Sequence, residues 1–296
     1  MTSQLLPVEL TSASNGAKIG ILTLTQPGRP VVVIEQNLLK QLDATLDSLP
    51  ENLDGLILAS DADRAFVAGA DLKAIMALDD AGLHTYLTFG AKVFQKIADL
   101  PYPTAAAIHS VALGGGLELA MHCDGLIGVV DPDAKPFIVG LPEAGLKICP
   151  GWGGTNLLPA RIDPQSAMIA TANGTPFKST DAKELGMFDA TCTSRDALIE
   201  TAKSWLSIQS KPNRTGTPSR CIQTTNTDTI KKALIAASGA IESSLHTDAV
   251  LDAIRVGINQ GWQAALQSER SHLVQLRNTE PAQKAIEAFF SKTVKK

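Results

Sequence analysis

The chain has 296 residues, 26 Lys and Arg against 30 Asp and Glu, and 44% apolar against 19% charged residues, the balance of a globular protein long enough to bury a large core. A net charge of −4 leaves no electrostatic footprint for DNA, RNA or an acidic membrane surface, and no apolar run approaches the roughly 20 residues of a membrane span. The four cysteines (Cys123, Cys149, Cys192 and Cys221) lack C-x-x-C spacing and only Cys123 adjoins a histidine, so no metal site is expected. The N-terminus, MTSQLLPVEL, has neither a basic n-region nor a long apolar h-region, which leads us to expect a cytoplasmic protein.

Leu5–Leu10 and Ala17–Thr25 read as two strands joined at Asn15-Gly16, a strong hairpin signal. After the break at Pro27-Gly28-Arg29-Pro30, Val31–Ile34 is a short β-branched run, and Leu38, Leu39, Leu42, Leu46 and Leu49 fall at helical spacing. Leu53–Ala59 is a buried strand. In Ala65–Ile75 (AFVAGADLKAI) a strand end runs through Gly69 into a helix over Leu72–Leu78, with Asp71 as its cap. A long helix follows over Asp80–Leu100 and is stopped by Pro101 and Pro103. The apolar run Ala105–Ile108 then leads into Ser110–Asp124 (SVALGGGLELAMHCD), where a strand halts at three glycines and a helix begins.

Beyond it come a strand at Gly125–Val130, a polar loop at Asp131–Pro136, a short strand at Phe137–Val139 and the sequence Leu141-Pro142-Glu143. Pro150–Thr155 is rich in glycine but lacks the GK[ST] ending of a phosphate loop; Trp152 within it either lines a pocket or fills core. Helices are predicted at Pro164–Ala172, Thr180–Leu185, Arg195–Ile208, Ile230–Ala240, Asp248–Leu266 and Pro281–Phe290. Repeated β-turn-α units indicate an α/β fold with a parallel-rich sheet. The expected organisation is a catalytic core over 1–208, a polar linker or loop over 209–228, and a helical C-terminal region over 229–296.

Gly114, Gly115 and Gly116 let backbone amides approach a ligand, and the helix start behind them presents unpaired donors and a partial positive charge. Glu118 sits in that first turn. On its own the motif reads equally as a tight turn followed by a solvated acid. The second corner, at Gly69–Asp71, supplies further amides from Ala70 and Asp71, and two such corners make an oxyanion hole. Glu143 is a second carboxylate, rigidified by Pro142 in apolar surroundings; the alternative is a loop acid capping a neighbouring helix. Both contexts are apolar enough to raise a carboxyl pKa by desolvation. His122, on the helix of Glu118, reads as a core residue rather than a catalyst.

AFVAGADLKAI, ALGGGLELAMHCD and LPEAGLKICPGWGGTNLLPARI together resemble the enoyl-CoA hydratase/isomerase (crotonase) superfamily, in its order; a weaker likeness runs from about Gly20 to Ala190. The resemblance implies a ββα superhelix with C-terminal helices that help cover the active site and build a homotrimer or a dimer of trimers. It implies hydration of a 2-enoyl-CoA to a 3-hydroxyacyl-CoA, a lyase reaction of fatty acid metabolism, with no cofactor, since coenzyme A is part of the substrate. The oxyanion amides would be those of Ala70 and Gly115. Glu118 would activate the water and Glu143 would exchange the α-carbon proton, the two carboxyls repelling each other enough to keep one protonated. Ala68, Asp71, Leu72, Lys73 and Gly114 would contact the substrate, Lys73 also reading as a plain surface lysine. Two departures stand out: Val32 and Val33 replace small polar residues where the family grips CoA, and Asp131–Pro136 lengthens the spacing between the glutamates. Within the same resemblance the alternatives are an enoyl-CoA isomerase and a non-catalytic acyl-CoA-binding scaffold subunit.

Overall fold

The computed structural model describes residues 4–293; the first three residues of the N-terminal stretch and the last three of the 229–296 region lie outside the described residues. In chain order the elements are β1 (Val8–Ser12), β2 (Lys18–Leu24), α1 (Gln36–Asp47), β3 (Gly55–Ser60), β4 (Ala65–Val67), α2 (Leu72–Ala77), α3 (Asp80–Asp99), β5 (Thr104–Ile108), β6 (Val111–Leu113), α4 (Gly115–Met121), β7 (Gly125–Val129) and β8 (Ile138–Gly140). They continue with α5 (Gly154–Leu157), α6 (Pro164–Asn173), β9 (Phe177–Lys178), α7 (Ser179–Glu184), β10 (Ala190–Cys192), α8 (Arg195–Ser207), α9 (Thr227–Ala240), α10 (Leu245–Gln260), α11 (Trp262–Leu276) and α12 (Glu280–Thr293). They form two compact units that interleave along the chain: one takes the residues up to Asp71, Lys92–Val139 and Phe177–Ser219, the other Leu72–Ala91, Gly140–Pro176 and the chain from Arg220 onward.

The first unit is built on a six-stranded sheet in the order β1-β2-β3-β5-β7-β10, parallel except for the β1–β2 hairpin. Every residue of β3 and β5 is buried, which is why both read as unbroken apolar runs rather than alternating ones. On the face carrying Ile19, Ile57, Ala105 and Ile127, α8 packs through Leu198, Ala202 and Leu206. The hairpin turns at Asn15-Gly16 as predicted, with Gly16 at φ 84°, but β1 lies later than Leu5–Leu10. The cause is local: the buried Leu6 gives its amide to Thr45 Oγ1 at 2.8 Å rather than to a sheet partner.

A smaller sheet in the order β4-β6-β8-β9 carries the parallel pair β4–β6. The β-branched run Val31–Ile34, which reads as a strand, forms only an isolated bridge at Ile34. Its backbone instead runs beside the turn after β4, where Ala68 donates to Val32 O, Ile34 to Gly69 O and Asp71 to Ile34 O, while the Gln26 side chain holds both the amide and the carbonyl of Val33. Segment 209–219 is tied down by Arg214. Its guanidinium forks onto Asp124 at 2.7 and 2.9 Å and also reaches the carbonyls of Leu100 and Tyr102.

The second unit is helical, its core assembled from α6, α9 and α10 with Met168, Ile230, Leu234, Val250 and Ile254 at the centre. The single helix predicted over Asp248–Leu266 is two. Gly261, at φ 86° and ψ −177°, ends α10 and begins α11, and Gln223 Oε1 accepts the Trp262 amide in place of the missing helical bond. Trp152 fills core: it is 2% exposed, donates to Leu87 O at 3.0 Å and meets Tyr86 edge-on. No helix among the described residues is long and apolar enough to cross a membrane.

Candidate active site

Because β4 and β6 pair in parallel, with Val67 opposite Ala112, the turns that follow them leave the same edge of the sheet side by side. These are the two corners marked in the sequence. In the first, Ile34 bonds the residues on either side of Ala70, taking the Asp71 amide at 2.9 Å and giving its own to Gly69 O at 2.8 Å. In such a ladder the Ala70 amide points away from Ile34, and it makes no hydrogen bond among the described residues. The geometry thus separates two amides that the local pattern, apart from the family resemblance, left equivalent: Asp71 is committed to the ladder and Ala70 is not. Ala68, exposed, has given its amide to Val32 O.

In the second corner Gly114 adopts φ 53° and ψ −128° ahead of α4, a conformation closed to other residues. Its carbonyl accepts from both Leu117 and Glu118, each at 2.9 Å, closing the first turn while the Gly115 amide stays unengaged among the described residues. Gly116 brings the helix against β4: a Cβ there would lie 2.3 Å from Val67 O. Glu118, in this first turn, is 1% exposed, so it is no solvated surface acid. His122, one turn on, donates from Nδ1 to the Glu118 carbonyl, 2.8 Å away, and meets Phe94 edge-on. Burial lowers its pKa to about 4, which makes it a neutral core residue at physiological pH.

The second unit holds Glu143, Leu72 and Lys73. Leu72 packs against the helical core, and the exposed Lys73 lies 5.9 Å from the centroid of the Phe290 ring. Glu143 opens a short 3-10 turn, Glu143–Leu146, behind Pro142. The residue as a whole is half-buried, yet its Oε2 is closed off from solvent and has no hydrogen-bond partner among the described residues. Burial, with the charge of Glu269 adding to it, pushes the Glu143 carboxyl up to about 8. Desolvation of a carboxyl in apolar surroundings was the expected effect; the like charge that acts on it from within this unit is a residue the sequence did not single out.

That residue, Glu269, is wholly buried on α11. It accepts from the Gly153 amide at 2.5 Å, the Thr155 amide at 2.8 Å and the Thr155 hydroxyl at 2.5 Å. The glycine-rich turn ahead of α5 is therefore an anchor for a buried carboxyl. One signal could have revealed it: Trp262, Leu266, Glu269, Leu273 and Leu276 fall at helical spacing and all are buried, so Glu269 interrupts an apolar stripe, where a carboxyl is expensive without partners.

Within the first unit the two corners hold backbone donors where negative charge can collect, next to a buried acid, an arrangement that suits acid–base chemistry on a carbonyl compound through an oxyanion. Within the second unit Glu143 is an acid whose proton stays on near neutrality. Among the described residues no group of three His, Cys, Asp or Glu could hold a metal ion. The enoyl-CoA hydratase/isomerase family profile matches residues 15–250. The alpha subunit of the fatty acid oxidation complex of Vibrio cholerae is 31% identical over 285 residues, a match spanning 92% of this chain and 40% of that subunit; the chain thus spans less than half the length of this curated relative. Among solved structures, a carnitinyl-CoA dehydratase from Mycobacterium thermoresistibile superposes with a TM-score of 0.68 at 19% identity, covering 96% of this chain and 89% of that one. An enoyl-CoA hydratase from Bacillus anthracis does so with a TM-score of 0.57 at 24% identity, covering 96% of each. The fold is that of the crotonases, and the chain belongs to the enoyl-CoA hydratase/isomerase family.

Proposed function

We propose that the protein is an enoyl-CoA hydratase, adding water across the double bond of a 2-enoyl-CoA to give a 3-hydroxyacyl-CoA. The observation that carries this reading is the pair of unengaged amides, Ala70 and Gly115, at the same edge of the β4–β6 pair, with the buried Glu118 one turn into α4. When a water oxygen attacks the β-carbon, the π electrons move through the α-carbon onto the thioester oxygen. Two N–H donors would hold that oxyanion, and losing one such donor costs about 10²–10³ in rate. Glu118 takes the proton from the attacking water, and Glu143, protonated near neutrality, gives one to the α-carbon. Ala68, Asp71, Leu72, Lys73 and Gly114 are assigned to substrate contacts, with coenzyme A entering as part of the substrate and no separate cofactor. The Vibrio cholerae relative, a subunit of a fatty acid oxidation complex, supports acyl-CoA oxidation as the setting. A homotrimer or dimer of trimers in the cytoplasm completes the reading.

The test is loss of the ultraviolet absorbance of the conjugated thioester, measured over a panel of enoyl-CoAs of differing chain length. Turnover of at least one member is expected. No turnover of any member by folded protein overturns the hydratase assignment, and double-bond migration without hydration replaces it with an isomerase.

A further inference from the structure

Glu143 and Glu269 make a buried pair of acids, and the hydrogen bonds around Glu269 say which of them is ionised. The Ala253 carbonyl can only accept, so the atom of Asn156 lying 3.2 Å from it is the amide nitrogen, Nδ2. That nitrogen also donates to Thr155 Oγ1 at 2.9 Å. The hydroxyl, having accepted there, sends its one proton to Glu269 Oε1 at 2.5 Å. The same oxygen takes the Thr155 amide, and Oε2 takes the Gly153 amide. Three donors converge on a group that is a pure acceptor only when ionised. Glu143 is far less well supplied: a bond from its own backbone amide favours its ionised form, but its buried Oε2 receives no donor among the described residues, costly for a carboxylate and tolerable for a neutral acid.

We propose that Glu269 is a positioning residue which, ionised and clamped by Gly153 and Thr155, holds the proton of the buried pair on Glu143 so that Glu143 meets the α-carbon as an acid. This rests on the assignment of α-carbon protonation to Glu143 above. Within this unit the charge acting on Glu143 is that of Glu269; burial pushes the Glu269 carboxyl up as well, and the Thr155 and Gly153 donors, with the half-buried Arg270, act against that rise. Of the helices packed on the Glu143 turn, α6 has no ionisable side chain, and in α12 Glu280 and Lys284 are exposed and paired with each other while Glu287 is exposed. The inference also explains why α5 starts on glycines. Gly153, at φ 101°, aims its amide at a side chain 116 residues away.

The experiment compares wild type, Glu143→Gln and Glu269→Gln, each labelled with 13C at the glutamate carboxyls, by NMR titration alongside pH profiles of enoyl-CoA hydration. Wild type should show one carboxyl titrating near 8 that is absent from Glu143→Gln. In Glu269→Gln that resonance should titrate lower by about one pH unit, since the like charge is gone. The alkaline limb of kcat should move down with it, giving a roughly tenfold loss at pH 9 and almost none at pH 6. An unmoved Glu143 titration, or an activity loss equal at every pH, overturns the proposal by reducing Glu269 to a structural clamp. Should Glu269→Gln lack a cooperative melt, Thr155→Val serves instead: it removes one donor from Glu269, so Glu269 holds its proton more readily and the Glu143 resonance again moves down, an unmoved one being the refuting result. A coupled pair seen by NMR in a protein that turns over no enoyl-CoA leaves the pair standing and removes the hydratase reading. Normal turnover with Glu143 titrating in the ordinary carboxylate range does the reverse.

Discussion

Gly116→Ala tests the proposed oxyanion hole without touching either amide assigned to it. The new Cβ would fall 2.3 Å from Val67 O, 2.8 Å from Val67 Cβ and 2.9 Å from Val67 C. Two of those three are backbone atoms of β4, which cannot rotate away. To reach the roughly 3.0 Å below which Cβ atoms are essentially never found, α4 and β4 must part by at least about 0.7 Å. The displacement falls one residue beyond the Gly115 amide and three residues before Ala70, so the spacing of the two donors changes with it. Overpacking of this kind costs about 1–3 kcal/mol of stability, and a misplacement near 1 Å at a reacting centre costs about 10² in rate. The assay is enoyl-CoA hydration with a thermal melt beside it. We expect kcat to fall by about 10², KM to change much less, and the melting temperature to drop by several degrees. Gly239→Ala is the control, because it lies on the exposed side of α9 with nothing within 4 Å of a Cβ; it should keep full activity and gain about 0.5–1 kcal/mol. A folded Gly116→Ala protein with activity within about threefold of wild type would show that the β4–α4 contact does not set the donor geometry.

Glu118→Gln should suppress hydration by at least about 10², and Glu143→Gln should do so while also stopping deuterium exchange at the α-carbon, followed by NMR in deuterated water; near-wild-type hydration in both would refute the two-carboxylate assignment. Burial pushes the Asp124 carboxyl up, but the Arg214 fork outweighs it and holds the group below its usual range. Its contribution to stability is therefore complete above about pH 4 and is lost as pH falls through the lowered value. Arg214→Met should accordingly cost about 2–4 kcal/mol in urea unfolding at pH 7, with the difference shrinking toward pH 3; an equal cost at both would refute the ion-pair account. Gly261→Ala should lose about 1–2 kcal/mol, because alanine resists a φ of 86°, and an unchanged melting curve would place the α10–α11 break elsewhere.

What could be read from the sequence follows the range of the interactions involved. β3, β5 and α4 announce themselves because burial on both faces, or a glycine junction, is a property of consecutive residues, and the corner at Gly114–Glu118 lies wholly within one such stretch. The corner at Ala70 was only half legible. Its donors come from one turn, but the choice between Ala70 and Asp71 is made by Ile34, a residue from another segment that takes one amide and leaves the other. The same segment explains the missing strand at Val31–Ile34: β-branched residues favour extended backbone, yet their hydrogen bonds go to a turn and to Gln26 rather than to a sheet. Gly261 had the residue type of a helix stop, but the apolar periodicity runs through it from Leu251 to Leu266, and periodicity alone does not register a positive φ.

Glu269 marks where local reasoning stops. Glutamate is a good helix former, and in α11 it sits between the polar Ser268 and Arg270, which mask its place in the buried stripe of that helix. What distinguishes it is the Pro150–Thr155 turn, more than a hundred residues earlier, whose amides and hydroxyl converge on its carboxyl group. An oxyanion hole is made of backbone, so its signature is the glycine pattern that shapes the backbone. Glu143 keeps its proton through burial, with a like charge adding to it, and a like charge supplied by the fold leaves only a trace in the sequence: one carboxyl in an apolar stripe, and one glycine-rich turn with no phosphate to bind. Matching such a stripe to such a turn is the inference that would have placed Glu269 on the Pro150–Thr155 turn before any coordinates, and it extends to any buried acid whose partners are main-chain amides.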